Sequence, residues 1–310
     1  MNKILVIGSG PAGCTAAIYC SRALLDTYML IGDQPGGQLT ITSEVENYPG
    51  FIDSIHGPIL MQNMIEQSKK VGTKIIEGNA TSIEKVGLKF QVHYEYAGEK
   101  NLNTFDAIII CTGAQAKHLG IESEKDYWGY GLSMCATCDG PFFRNKEILV
   151  VGGGNTAMEE ALFLSNICKS ITILHRRDSF RAEKIMINRV MEKQNINIMW
   201  NTELKTIHGD KKVTSATVFN NKTNIESKIQ CDGIFVAIGH KPNTEIVKNL
   251  LELDSDGYII TNKSDLYKTM TSMPGIFAAG DVCDKTYRQA VTAAGMGCMA
   301  ALNVQKYLDT

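Results

Sequence analysis

The sequence predicts an α/β protein built from two three-layer domains of one plan, the second inserted into the first. Three observations carry this expectation. An apolar run breaking into a glycine-rich turn occurs twice, near residues 3–13 and 148–157. The text downstream of each copy repeats as well. The last part of the chain fits neither copy and so reads as a return to the first domain.

The first copy begins with Lys3-Ile4-Leu5-Val6-Ile7, which ends in Gly8-Ser9-Gly10-Pro11-Ala12-Gly13. A helix-like segment follows to about Arg22, then an apolar run over residues 28–31. The second copy begins with Ile148-Leu149-Val150-Val151 and ends in Gly152-Gly153-Gly154-Asn155-Thr156-Ala157. It continues helix-like to about Lys169, then apolar over residues 171–174. Each is a strand, a glycine turn, a helix and a strand, the βαβ unit. Further on, alternating residues 89–94 lead to Asp106-Ala107-Ile108-Ile109-Ile110-Cys111-Thr112-Gly113. Alternating residues 216–219 lead likewise to Asp232-Gly233-Ile234-Phe235-Val236-Ala237-Ile238-Gly239. His240-Lys241-Pro242-Asn243 reads as a linker. Residues 273–281 then read as a strand ending in Gly280-Asp281, and residues 289–307 as a helix. Two Rossmann-like domains follow, with expected boundaries at 1–114 plus 244–310 for the first and 115–243 for the second.

Composition excludes several classes. Lys+Arg 31 against Asp+Glu 33 gives a formal net charge of −2, so no global field attracts nucleic acid or an anionic membrane. No stretch approaches the roughly 18 apolar residues of a membrane span. The first strand starts at Lys3, leaving no room for a targeting segment, and the expected location is cytoplasmic. Nine cysteines, an odd number, do not make a structural disulfide framework in that compartment. Seven stand singly and read as small buried hydrophobes. Only Cys135 and Cys138 form a C-x-x-C.

The glycine turns demand a ligand chemistry. The first glycine makes the tight turn, the second lets backbone approach a pyrophosphate, and the third lets helix pack on strand. The helix N-terminus adds unpaired N–H donors and partial positive charge. In the first fingerprint Gly8, Gly10, Pro11, Ala12 and Gly13 form the candidate cradle. In the second, Gly152, Gly154, Asn155, Thr156 and Ala157 do so. The strand after the second fingerprint ends in His175-Arg176-Arg177, with Arg181 close behind and no acid at the strand end. Arginines there accommodate a 2′-phosphate, so NADPH is expected over NADH. The first site then takes FAD. Its strand ends in Ile31-Gly32-Asp33, with Asp33 a weak ribose candidate, and Gly280-Asp281 and Arg288-Gln289-Ala290 are candidates for further contacts.

The pair Cys135 and Cys138 sits just before the second fingerprint. Thiols at this spacing close into a disulfide, and one of them is a ready thiolate nucleophile. Asp139 beside them is a candidate proton donor if burial raises its pKa. A structural zinc site needs about four ligands, and no second C-x-x-C or suitably spaced histidine pair supplies them, so no metal is expected.

Taken together, these motifs resemble the low-molecular-weight, bacterial-type thioredoxin reductase family over essentially the whole chain. The resemblance rests on Gly8-Ser9-Gly10-Pro11-Ala12-Gly13, Gly36-Gly37-Gln38-Leu39, Glu46-Asn47, Cys135-Ala136-Thr137-Cys138-Asp139-Gly140, Gly152-Gly153-Gly154-Asn155-Thr156-Ala157, His175-Arg176-Arg177 and Tyr287-Arg288-Gln289-Ala290. It implies a homodimer that carries electrons from NADPH through FAD to the disulfide and on to thioredoxin. It implies that Cys138 faces the flavin, Cys135 attacks thioredoxin and Asp139 is the acid. It places Gly32, Gly37, Gln38, Asn47, Gly113, Gly280, Asp281, Arg288, Gln289 and Ala290 at FAD. Two residues depart from the family pattern, Cys14 after the first fingerprint and Cys111 before Thr112-Gly113, and both concern local packing.

Rival readings are separable by sequence features. A glutathione-reductase type carries C-x₄-C in its flavin domain, whereas Cys14 and Cys20 have five residues between them. The flavin subunit of a peroxide-reducing system adds an N-terminal thioredoxin-like region. The ferredoxin-linked reductase lacks the C-x-x-C. A redox-sensing binding protein would not need Asp139. The alternatives that stay open are a thiol oxidase, in which the same flavin and cysteine pair run outward to oxygen, and a reductase of another small disulfide protein; rapid flavin reduction by NADPH, which the arginines predict, separates the oxidase.

Overall fold

The architecture, a computed structural model, describes residues 1–42 and 44–310. The chain divides into two compact units, Met1–Gln115 with Lys241–Thr310, and Ala116–His240.

The first unit opens with β1 (Lys3–Ile7), α1 (Pro11–Arg22) and β2 (Asp26–Leu30), continuing through α2 (Gly57–Lys70) to β3 (Lys74–Ile76). An antiparallel meander follows, β4 (Asn79–Val86), β5 (Lys89–Tyr96) and β6 (Glu99–Phe105), then β7 (Ala107–Ile110) and the crossing strand β8 (Ala114–Ala116). The second unit contains α3 (Glu124–Tyr127), β9 (Leu132–Ser133), α4 (Ala136–Asp139), β10 (Glu147–Gly152), α5 (Asn155–Ser165), β11 (Ser170–His175), α6 (Lys184–Met191) and β12 (Ile196–Trp200). Its own meander is β13 (Thr202–Gly209), β14 (Val213–Asn220) and β15 (Ile225–Gln230), followed by β16 (Gly233–Ala237) and the returning β17 (His240–Pro242). The tail supplies β18 (Ile276–Ala278) and α7 (Ala290–Leu308) to the first unit.

The parallel sheets run β18-β7-β1-β2-β3 and β12-β11-β10-β16-β9. Read from opposite ends they have the same plan, with β1 and β10 at the centre. Period-two alternation builds three layers in each unit. In the first, Ile4 and Val6 pack with Ala16 and Ala17 of α1 and Ala300 and Val304 of α7. Leu5 and Ile7 belong to the opposite layer with Phe90, Val92 and Phe105 of the meander. In the second, Ile148 and Val150 pack with Ala161 and Leu164 of α5. Leu149 and Val151 pack with Leu204, Ala216 and Val218. Both faces of β1 and β10 are therefore buried, which is why their sequence is continuously apolar.

The acidic residue that opens the second half of each repeat has a structural cause. Asp106 Oδ2 accepts the Lys3 N–H at 2.7 Å, and Asp232 Oδ2 accepts the Glu147 N–H at 2.9 Å. Each carboxylate ties the incoming strand to the start of the central one.

Some local expectations need correction. The helix after the second fingerprint ends at Ser165, not near Lys169. Asn166, Ile167 and Cys168 N–H groups bond carbonyls of Phe163 and Leu164, so the chain turns there before entering β11. The linker at His240 is strand, β17, paired with β8. Of the seven single cysteines, Cys14, Cys20, Cys111, Cys168 and Cys231 are buried, while Cys283 and Cys298 are half-buried.

Candidate active site and cofactor cradles

In the first unit, β1 delivers Gly8 at φ +109°, where an added Cβ would lie 2.3 Å from the Cys111 carbonyl oxygen. At Gly13 a Cβ would lie 1.9 Å from the Gly8 carbonyl oxygen, so strand and helix can meet only over glycine. Gly10 is different. Its nearest neighbour to a Cβ would be Gly36 O at 3.9 Å, and it caps α1 with no side-chain partner and Pro11 next in line. The first N–H donors of α1 thus face open ground, as a diphosphate requires. A Cβ at Gly37 would meet only the Gly10 Cα, at 3.7 Å, and one at Gly113 would meet nothing within 4 Å. The cradle fits a dinucleotide such as FAD. Gly32, at φ +76°, follows the end of β2, and Asp33 beyond it is exposed, its N–H bonded to Asn79 Oδ1.

The other expected contacts in this unit lie on segments tied to one another. Asn47 Nδ2 donates to Gln289 Oε1 at 3.3 Å, joining the 44–50 segment to the cap of α7. Asp284 accepts from the N–H groups of Thr286, Tyr287 and Arg288, which shapes the turn that presents Arg288 at φ +46°. Gln289 caps α7 ahead of Ala290 in a reciprocal box with Thr292. Gln38 lies exposed on the short 3₁₀ turn Gly37–Ile41. Gly280, at φ +81°, brings backbone against Ala12, whose Cβ would lie 2.9 Å from a Cβ added there. Asp281 follows it, half-buried. Burial pushes its carboxyl up to about 6, helped by Asp284 and opposed by Arg288.

In the second unit the turn repeats with changes. A Cβ at Gly152 would lie 2.4 Å from the Ala237 carbonyl oxygen, and one at Gly154 would meet nothing within 4 Å. Gly154 caps α5 without a side-chain partner, leaving its first donors open. Asn155 Oδ1 accepts the Glu183 N–H at 2.8 Å, Thr156 sits in the first turn, and Ala157 is fully buried. Arg176, Arg177 and Arg181 are exposed, and among the described residues none takes part in a salt bridge. Three guanidiniums outside salt bridges, beside an open helix N-terminus, suit a phosphate-bearing dinucleotide such as NADPH. His175 is placed otherwise. It is buried at 5% exposure, its ring nitrogens 3.0 Å from Gly152 O and 2.9 Å from Ser179 O.

Cys135 and Cys138 are joined by a disulfide, with Cα atoms 5.3 Å apart, at the start of α4. Both are half-buried, so an incoming partner can reach them. Cys135 Sγ accepts the Cys138 N–H at 3.2 Å and lies 3.3 Å from the Thr137 hydroxyl. Ser133 Oγ accepts the Cys135 N–H at 3.1 Å. Burial raises the Asp139 carboxyl above its ordinary range, and a hydrogen bond to Ser133 pulls the other way. A carboxyl that holds its proton beside a disulfide can protonate a leaving thiolate. Ser9, Ser133 and Asp284 escaped sequence reasoning. Ser9 Oγ donates to Ile31 O and accepts the Gly36 N–H, linking the glycine turn to the next loop. Only Asp284 had a sequence signal, an acid ahead of a polar turn.

The whole chain has counterparts. Residues 2–297 match the family model for pyridine nucleotide-disulphide oxidoreductases. A thioredoxin reductase of Rickettsia felis is 52% identical over 99% of this chain and 98% of its own length. One from Escherichia coli O157:H7 is 49% identical over 99% and 96%. Among solved structures, thioredoxin reductase from Streptococcus pyogenes matches with a TM-score of 0.91 at 41% identity, covering 99% of this chain and 97% of that one.

Proposed function

The chain belongs to the thioredoxin reductases of the pyridine nucleotide-disulphide oxidoreductase family, and on that premise we propose how its residues divide the work. The observation that carries the reading is the Cys135–Cys138 disulfide, next to a half-buried Asp139, in the unit that also holds the arginine-flanked cradle. FAD and NADPH are the cofactors, FAD at the first cradle and NADPH at the second. When bound, the flavin takes a hydride from NADPH and supplies two electrons to the disulfide.

The chain's own residues do the rest. Cys135, as thiolate, attacks one sulfur of oxidised thioredoxin, forming a mixed disulfide and expelling the other sulfur as a thiolate. Cys138 then attacks Cys135, which restores the internal disulfide and releases the second thioredoxin sulfur. Asp139 provides a proton to a departing thiolate and recovers it from solvent. The net reaction consumes NADPH, one proton and a disulfide, and yields NADP⁺ and a dithiol.

The disulfide and the nicotinamide cradle share the second unit, while the flavin cradle belongs to the first. Both must reach one flavin, so the second unit turns about residues 112–117 and 240–243 in each cycle. Within the first unit Thr112 Oγ1 donates to Asn243 O at 2.7 Å and Asn243 Nδ2 donates to Thr112 O at 2.8 Å, a firm base for such a turn. A rigid cross-link between the units should block turnover.

The protein acts as a homodimer in the cytoplasm. The face of α7 carrying Val291, Gly295, Met299 and Leu302 is exposed, a spacing that makes one apolar stripe, and Tyr19 of α1 is exposed too. A second copy of the chain is the proposed occupant of this stripe. Among the described residues no helix is long and apolar enough to cross a membrane. The test of the reaction is NADPH consumption with and without a thioredoxin from the same source. Fast thioredoxin-dependent loss is expected. Flavin reduction that thioredoxin does not accelerate would leave the redox core standing and remove thioredoxin as the acceptor.

A further inference from the structure

We propose that His175 is a positioning residue, whose buried imidazole packs between the carbonyls of Gly152 and Ser179, donates its N–H to one of them, and so sets the 176–181 loop against the glycine turn. Arg176, Arg177 and Arg181 then meet a 2′-phosphate as a preset group. This rests on the reading that the second unit takes NADPH.

The argument starts from the ring. His175 ends β11, and both its nitrogens lie within hydrogen-bond distance of backbone carbonyls, one before the loop and one inside it. No ring nitrogen remains to face a phosphate, although the residue stands in line with two arginines that can. A Cβ at Gly153 would lie 2.2 Å from the ring, so glycine at that position is what admits the imidazole. Phe180 and Trp200 flank the ring, with centroids 5.2 and 6.0 Å away, and seal it from solvent. Burial lowers the ring's affinity for a proton, and Arg177 and Arg181 lower it further, against the two carbonyls that raise it.

The remainder of the loop is tied in the same sense. Arg181 N–H donates to Gly153 O at 2.8 Å, and Asn155 holds Glu183 just beyond. The backbone carbonyls of Arg176 and Arg177 accept from Asn221 Nδ2 at 2.9 Å and from the Asn201 N–H at 3.0 Å. Backbone contacts thus occupy the loop while its three guanidiniums stay outside ion pairs. The glycine turn itself is held separately, because β10 pairs with β16 through Gly152 and Ala237. Loss of the ring should therefore loosen the arginines and leave the turn in place.

The test is calorimetric binding to the flavin-loaded protein of two probes of equal phosphate count, adenosine 2′,5′-bisphosphate, whose second phosphate is at the 2′ position, and ADP, whose second phosphate is on the 5′ chain. His175→Leu should weaken the bisphosphate by about tenfold or more and ADP by less than about twofold. In an Arg176→Ala, Arg177→Ala background the same change should cost less than about a further twofold, since its route of action is gone. KM for NADPH should rise while kcat at saturation holds. His175→Gln, which keeps one amide donor for one carbonyl, should recover part of the loss, and it carries the comparison if the leucine variant does not fold. Equal weakening of both probes would mean the ring supports the glycine turn instead. Full loss on the arginine-free background would mean that it touches the phosphate. Either result, or no loss, overturns the inference. A wild-type protein that separates the two probes but does not reduce thioredoxin would sink the proposed function and leave this inference standing.

Discussion

The two units share a sheet plan and differ in what leaves each strand. In the first, the strand beside β7 is β18, which runs into Gly280-Asp281 and the cap of α7. In the second, the same slot beside β16 is filled by β9, which runs into Cys135 and α4. One slot thus presents a helix cap and a half-buried carboxyl, and the other a disulfide. At the neighbouring strand, β2 leads past Leu30 into Gly32-Asp33, and β11 ends at His175 with two arginines directly after it. The plan provides places, and the residue at each place decides the chemistry.

The largest effect expected from breaking this comparison is at the disulfide. Cys135→Ser or Cys138→Ser should lower thioredoxin reduction by about 1,000-fold or more, since the exchange needs both sulfurs. Reduction of an artificial flavin acceptor by NADPH should persist, and steady-state assays with the two acceptors check the split.

The glycine turns give the next contrast. Gly13→Ala drives a Cβ into the Gly8 carbonyl and should destabilise the first unit by about 3 kcal/mol or more, with loss of bound flavin. Ala157→Gly at the matching place should cost only about 1 kcal/mol, the helix penalty of glycine. Thermal melts followed by flavin fluorescence would sharpen or erase this asymmetry.

A smaller effect should follow at the acid. Asp139→Asn should slow thioredoxin turnover about 100-fold while NADPH still reduces the flavin at the normal rate, as stopped-flow absorbance would show. The limb of the wild-type pH–rate profile due to this carboxyl should disappear in the variant.

The last effect is at the other half-buried carboxyl. Asp281 holds its proton up to about 6, above the ordinary carboxyl value of 3.8, so its protonated form favours the folded state. That contribution is complete below pH 4 and is lost as pH rises through about 6. In flavin-free protein, Asp281→Asn should gain stability relative to the parent across that window, on the order of 3 kcal/mol. Urea titrations at both ends of the window test it.

The fold was legible because each central strand is buried on both faces and each turn needs glycine at fixed places. Asp106 and Asp232 even announced themselves as a repeat, for a hydrogen-bonding reason visible only once the strands are paired. The cysteine pair was legible from its spacing. What stayed hidden depends on contacts that no residue spacing announces. Ser133 touches the active pair from the preceding strand, and Asn47 reaches Gln289 across 242 positions. His175 looked like one more cation in a basic run, and only burial and its two carbonyl partners set it apart.

The most direct test of the central claim is to trap the exchange. Cys138→Ser and Cys135→Ser proteins, each lacking the thiol that would resolve the adduct, are mixed with a thioredoxin whose resolving cysteine is removed and whose attacking cysteine is paired to a small thiol, and any mixed disulfide is mapped by mass spectrometry. The account predicts a bond from thioredoxin to Cys135. A bond to Cys138, or to any of the seven other cysteines, would contradict it.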